Sequence, residues 1–153
     1  MNELDQLYQA IILDHAKARH GHGILENPDG ESFQVNPTCG DQVTVQVNMD
    51  GDTISELVWD GKGCSISQSS ISVMTQLVEG KTVAEAHELL DLFSELMNSR
   101  GKGIEDAKLD RLEDASAFVG VAQFPARIKC ALLGWMAMRD ATIKASSTKG
   151  EGQ

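Results

Sequence analysis

The sequence predicts an α+β fold, a three-stranded antiparallel sheet with helices packed on one face. Three observations carry this reading. Apolar residues recur at helical intervals over residues 3–18, the period changes to two over residues 32–59, and helical intervals return from residue 65 onward.

The first helix is marked by Leu4, Leu7, Tyr8, Ile11 and Ile12, with Asn2 placed to cap it. Gly21-His22-Gly23 ends it, and Asn27-Pro28-Asp29-Gly30 has strong turn chemistry. In the first strand Phe33 and Val35 alternate with polar neighbours, which suggests one buried face. In the second, Val43, Val45 and Val47 alternate with Gln42, Thr44, Gln46 and Asn48. Asp50-Gly51 is a hairpin signal, and Ile54, Leu57, Val58 and Trp59 mark the third strand.

Gly61-Lys62-Gly63 breaks the sheet immediately before Cys64. Ser65 or Ser67 is then placed to cap a helix carrying Ile66, Val73, Met74, Leu77 and Val78. Thr82 with Glu85 forms a capping-box pattern that opens another, with Val83, Ala86, Leu90, Phe93 and Met97 on one face. Residues 104–124 read as short helical turns. Pro125 suits the first position of a last helix bearing Ile128, Leu132 and Trp135. Residues 1–144 are expected to form one domain, and the Ser-, Thr-, Lys- and Gly-rich residues 145–153 a disordered tail.

Thirteen basic residues against 23 acidic ones give a net charge of −10 over 153 residues. Such a chain repels nucleic acid and anionic lipid. The excess serves solubility or a basic partner surface. No apolar run approaches the roughly 18 residues needed to cross a bilayer. The acidic first residues, Glu3 and Asp5, are unlike a secretion signal, so a cytoplasmic location is expected, as a monomer forming transient complexes.

The chemistry concentrates in three cysteines. Cys39 and Asp41 lie in a loop that Pro37 and Gly40 force between the first two strands. Cys64 follows a glycine-rich break, and Cys130 lies in the second turn of the last helix. A meander with helices on one face can bring these loops to a common edge. Three thiolates and a carboxylate suit zinc, which takes four ligands and accepts S, N and O donors, better than magnesium or calcium. Three buried, inert cysteines are the competing reading. Cysteines in glycine-bounded loops favour the first. Arg127 flanks Cys130 near a helix N-terminus, placed to pair with Asp41 or with a sulfur anion. His15, His20, His22 and His87 read as surface or boundary residues. Met74, Met97, Met136 and Met138 read as core.

Asn36-Pro37-x-Cys39-Gly40-Asp41, Gly61-x-Gly63-Cys64-x-Ile66-Ser67-x-Ser69-Ser70 and Pro125-x-Arg127-Ile128-Lys129-Cys130 together resemble the U-type, IscU/NifU-like family of iron–sulfur cluster assembly. The resemblance spans nearly the whole chain. It is closer to the SufU branch than to the IscU branch. Lys129 stands where IscU proteins carry a histidine, and the stretch around residues 100–124 fits the SufU insertion.

The resemblance implies a SufE/IscU-like fold and a zinc site formed by Cys39, Asp41, Cys64 and Cys130. It implies zinc-dependent sulfur transfer, with Cys39 accepting persulfide sulfur from a SufS-type cysteine desulfurase and passing it to SufBCD-type assembly machinery. When the desulfurase docks, one of its residues, by resemblance a histidine, is expected to take the place of Cys39 on the metal. The alternative is a scaffold that builds a [2Fe–2S] cluster on the same four residues.

Overall fold

The computed structural model describes residues 2–38 and 40–151, with side chains described through residue 146. The chain runs α1 (Glu3–Ala18), β1 (Gly30–Asn36), β2 (Asp41–Asp50), β3 (Thr53–Lys62), α2 (Ser65–Val78), α3 (Val83–Asn98), α4 (Asp106–Leu112), a 3₁₀ segment (Glu113–Gln123) and α5 (Pro125–Glu151). The strands form one antiparallel sheet in the order β1-β2-β3. This is the α+β meander that the alternating periods predict.

Period-two patterning places Val43, Val45 and Val47 on one face of β2, beside Leu57 and Trp59 of β3. These side chains are buried with Ile71 and Met74 of α2, Phe93 of α3 and Trp135 and Met138 of α5. Phe93 and Trp135 stack with ring centroids 4.6 Å apart. Ser70 ties α2 to α5 in this core. Its hydroxyl donates to the Ala131 carbonyl at 2.6 Å and accepts from Trp135 Nε1 at 3.1 Å. The Thr82–Glu85 capping box forms as its spacing predicts.

β1 departs from its apolar pattern. Phe33 and Val35 point outward, 59% and 47% exposed, while Ser32 and Asn36 take the buried side. The cause is the close passage of α5. A Cβ on Gly30 would collide with the α5 backbone at Ala141 and Ala145. Small, polar Ser32 fits under the helix and hydrogen-bonds Asp140, and this bond, followed by Lys144, holds the Asp140 carboxyl below its usual range. The same packing carries α5 onward. Ala145 is buried, and the helix continues to Glu151, into the stretch whose composition reads as a disordered tail. Gly152 and Gln153 lie outside the described residues.

Two further side chains differ from expectation. Met136 is 41% exposed rather than core, because it falls on the outer face of α5. His15 is buried, not at the surface or its boundary. It is the buried residue of α1, with Nδ1 3.0 Å from Ser72 Oγ and Nε2 2.9 Å from Asp114 Oδ2. Both ring nitrogens have partners, which is what permits an imidazole to leave water.

Candidate metal centre

Sheet register sets the geometry of the centre. Asn36 pairs with Asp41, and Gln42 pairs with Lys62, so the start of β2 and the end of β3 share one end of the sheet. The loop from β1 to β2 is closed by two bonds to one residue. Thr38 N–H donates to Asn36 Oδ1 at 3.2 Å, and Gly40 N–H donates to the Asn36 carbonyl at 2.9 Å. Gly40 adopts φ +75°, a conformation that side-chain-bearing residues rarely accept. Cys39, predicted as both ligand and sulfur acceptor, lies outside the described residues, between Thr38 and Gly40.

Beyond Lys62 the chain passes through Gly63 to Cys64, which occupies the N-cap position of α2. The expected cap, Ser65 or Ser67, is displaced from that role. Ser67 Oγ instead donates to the Cys64 carbonyl at 3.0 Å. The positive end of the helix dipole therefore lies at a cysteine rather than at a serine. Cys130 is reached from the other side. Pro125 opens α5, and the second turn buries Cys130 to 1% exposure, with Sγ 3.7 Å from the Ala126 carbonyl.

Asp41, Cys64 and Cys130 converge. One donor atom from each lies within 4.8 Å of the others. Asp41 is 1% exposed, Oδ1 accepts the Cys64 backbone N–H at 2.8 Å, and Oδ2 lies 3.6 Å from Cys64 Sγ. Gly63 makes this possible, since a Cβ there would collide with Asp41 Oδ1 and Ser67 Oγ. A carboxylate taken out of water beside two thiols is stable when a cation shares the space. Two sulfurs and one oxygen suit zinc among the common biological cations. Arg127 is exposed, three residues ahead of Cys130 on the same helical face. Among the described residues Arg127 takes part in none of the salt bridges. His20, His22 and His87 lie apart from the cluster, and His87 is engaged with Thr142 Oγ1 at 2.9 Å.

Residues 7–131 match the model of the NifU-like N-terminal domain. The chain belongs to that family. Among NifU-like relatives, the Streptococcus pyogenes serotype M1 protein named iron–sulfur cluster assembly scaffold protein IscU is 38% identical over 97% of this chain and 91% of its own. The Bacillus subtilis protein named zinc-dependent sulfurtransferase SufU is 40% identical over 92% of each chain. A crystal structure of a proposed iron–sulfur cluster assembly scaffold protein for the SUF system, from Fervidobacterium islandicum AW-1, superimposes with a TM-score of 0.80. It is 34% identical and covers 90% of this chain and 97% of that one. The α+β architecture of this NifU-like chain is thus that of its solved relatives.

Sequence reasoning located Asp41, Cys64 and Cys130 but missed what orients them. The steric role of Gly63 and the Cys64 amide bond to Asp41 had one available signal, the glycine directly before a candidate ligand.

Proposed function

We propose that this protein is a zinc-dependent sulfurtransferase, accepting persulfide sulfur from a pyridoxal-phosphate cysteine desulfurase and passing it to SUF-type iron–sulfur cluster assembly machinery in the cytoplasm. The observation that carries the proposal is the convergence of Asp41, Cys64 and Cys130 at the sheet end where the Cys39 loop also begins. The likeness to the Bacillus subtilis sulfurtransferase supports it.

Cys39, Asp41, Cys64 and Cys130 are the proposed zinc ligands. When bound there, zinc supplies the positive charge that keeps thiol ligands ionised. The chain's own residues do the rest. The Cys64 amide fixes one oxygen of Asp41, so the carboxylate presents its other oxygen without rearrangement. Cys64 caps one helix and Cys130 lies within another, whereas the residues on either side of Cys39, Thr38 and Gly40, are tied, among the described residues, only to Asn36; Cys39 is the ligand we assign to leave and return. The Cys39 thiolate attacks the outer sulfur of the desulfurase persulfide. A bond forms between that sulfur and Cys39 Sγ, the partner's S–S bond breaks, and the desulfurase cysteine departs as a thiolate. Arg127, exposed one turn ahead of Cys130, supplies a counter-charge for the new persulfide anion.

A second reading is supported by the 38% identity to the streptococcal protein named a scaffold: the same four residues hold a [2Fe–2S] cluster. Lys129 in place of the histidine of IscU proteins weighs against it.

Anaerobic purification with metal analysis, followed by incubation with a cysteine desulfurase and cysteine, separates the readings. Sulfur transfer requires tightly held zinc and added mass of one sulfur atom on Cys39, lost in Cys39→Ala. Full stimulation of desulfurase turnover by Cys39→Ala would overturn the transfer role in favour of a non-catalytic adaptor. A coloured protein carrying iron in place of zinc would favour the scaffold.

A further inference from the structure

The turn of α5 that carries Cys130 has little purchase of its own. Every residue from 123 to 129 is exposed except Ile128, which is half-buried, and Cys130 is the first buried side chain of the helix. Its place must therefore be set by what comes before this turn and what comes after it.

The segment before it is anchored in the core. The 3₁₀ segment (Glu113–Gln123) runs for 11 residues, whereas such helices seldom exceed about four. Its three buried alanines favour an α-helix by propensity. Packing accounts for the tighter winding. Side chains three apart eclipse in a 3₁₀ helix, and Ala115, Phe118 and Val121 form one buried stripe at that spacing.

Phe118, the middle of the stripe, is fully buried. Its ring meets Phe93 edge to face, with centroids 5.8 Å apart and planes at 73°. Phe93 in turn stacks on Trp135. Trp135 Nε1 donates to Ser70 Oγ, and Ser70 donates to the carbonyl of Ala131, the residue after Cys130. Chain and contacts thus close a ring. The backbone leads from Phe118 through Cys130 to Trp135, and the two aromatic contacts lead back. Ser70 adds a tie to α2, whose N-cap is Cys64.

We infer that Phe118 is a positioning residue for Cys130: its ring pins the 3₁₀ segment, and so fixes where the Cys130 thiol stands relative to Cys64 and Asp41. The inference rests on the zinc-site part of the proposed function. A 3₁₀ helix rises about 2.0 Å per residue and an α-helix about 1.5 Å, so rewinding the 11 residues would shorten the segment by about 5 Å. The start of α5 would follow, because no buried side chain ahead of Cys130 in that helix resists it. Even a tenth of that displacement exceeds the about 0.2 Å within which a zinc–ligand distance must fall.

The test is Phe118→Leu in the full chain, loaded with zinc and, separately, with cobalt(II), whose visible absorption reports ligand geometry. Leucine keeps apolar bulk in the core but has no ring edge to set against Phe93. The control is Ile54→Val or Ile54→Ala, whichever matches its loss of melting temperature in the metal-free chain. Ile54 is fully buried and pairs with Met49, which β2 separates from Asp41 by about 25 Å. Val121→Ala, a smaller change in the same stripe, carries the comparison if Phe118→Leu does not fold.

Zinc binding, read by chelator competition, is expected to weaken about tenfold or more in Phe118→Leu and about threefold or more in Val121→Ala. The cobalt(II) bands of both should shift and lose intensity. The matched Ile54 variant should stay within about twofold of the parent and keep its spectrum, as a distant site with no shared partners does. Equal losses in the Phe118 and Ile54 variants, or a parent-like spectrum in Phe118→Leu, would overturn the inference alone. A parent chain that binds neither metal would overturn the zinc reading and this inference together.

Discussion

Asp41 Oδ1 accepts the backbone N–H of Cys64 at 2.8 Å, which ties a candidate ligand on β2 to the backbone of another at the head of α2. The carboxylate lies where the Cβ of any residue but glycine at position 63 would stand. Gly63→Ala is therefore expected to push Asp41 out of place and weaken zinc binding by about 10–100-fold, the usual cost of losing support around a ligand. In an Asp41→Ala background the same change should cost little more, because nothing remains to displace. Competition with a chromophoric zinc chelator reads both. Additive losses would mean that Gly63 acts on the fold rather than on Asp41.

Asp41 itself is buried beside two thiols, so its removal should be felt in stability as well as in metal content. A ligand at 100 times its dissociation constant stabilises a fold by about 2.7 kcal/mol. For a chain of this size that corresponds to a melting temperature roughly 5–10 °C higher. Zinc removal by a chelator should lower the parent's melting temperature by that order, and Asp41→Ala should both retain less zinc and respond less to the chelator. Unchanged zinc content and melting temperature in Asp41→Ala would contradict its role as a ligand.

That Asp41, Cys64 and Cys130 could converge was legible because the candidate residues sit next to conformational punctuation. Pro37 and Gly40 bracket Cys39, Gly63 precedes Cys64, and Pro125 fixes the start of the helix that carries Cys130. Such signals are local and survive without knowledge of the fold. What was not legible depends on contacts between distant segments. Period-two alternation in β1 shows that Phe33 and Val35 share a face, but which face meets the helices is decided by α5 crossing at Gly30. The burial of His15 likewise depends on Ser72 and Asp114, neither of which has a sequence relationship to α1. The extension of α5 through Ala145 has the same origin, because composition favours an irregular tail while the groove beside β1 favours a small, helical residue.

Ser70 holds α2 against α5 by accepting from Trp135 Nε1 and donating to the Ala131 carbonyl, all within the core. Ser70→Ala leaves the indole N–H without its partner where water is excluded. The expected loss is about 1–3 kcal/mol in unfolding free energy, read by urea denaturation of the zinc-loaded protein. Because α2 carries Cys64 and α5 carries Cys130, zinc affinity should also fall in Ser70→Ala. A stability equal to the parent's would show that water reaches the site and replaces the hydroxyl.

His87 introduces a pH dependence that does not involve the metal centre. It is half-buried on α3, with Nε2 2.9 Å from Thr142 Oγ1. Burial, then the positive charge of Arg139, hold its pKa below the usual 6.5, with Asp91 opposing them. The sign follows from proton linkage. As pH falls below 6.5 the unfolded chain takes up a proton at this position before the folded chain does, so unfolding is favoured. The stabilisation is complete above that pH and is lost progressively as pH drops toward the folded value. The melting temperature of the parent should therefore decline between about pH 7.5 and pH 5, and His87→Gln should decline less. Glutamine keeps a hydrogen-bonding group near Thr142 but has no proton to gain. Identical pH profiles for the two proteins would remove His87 as a source of the dependence.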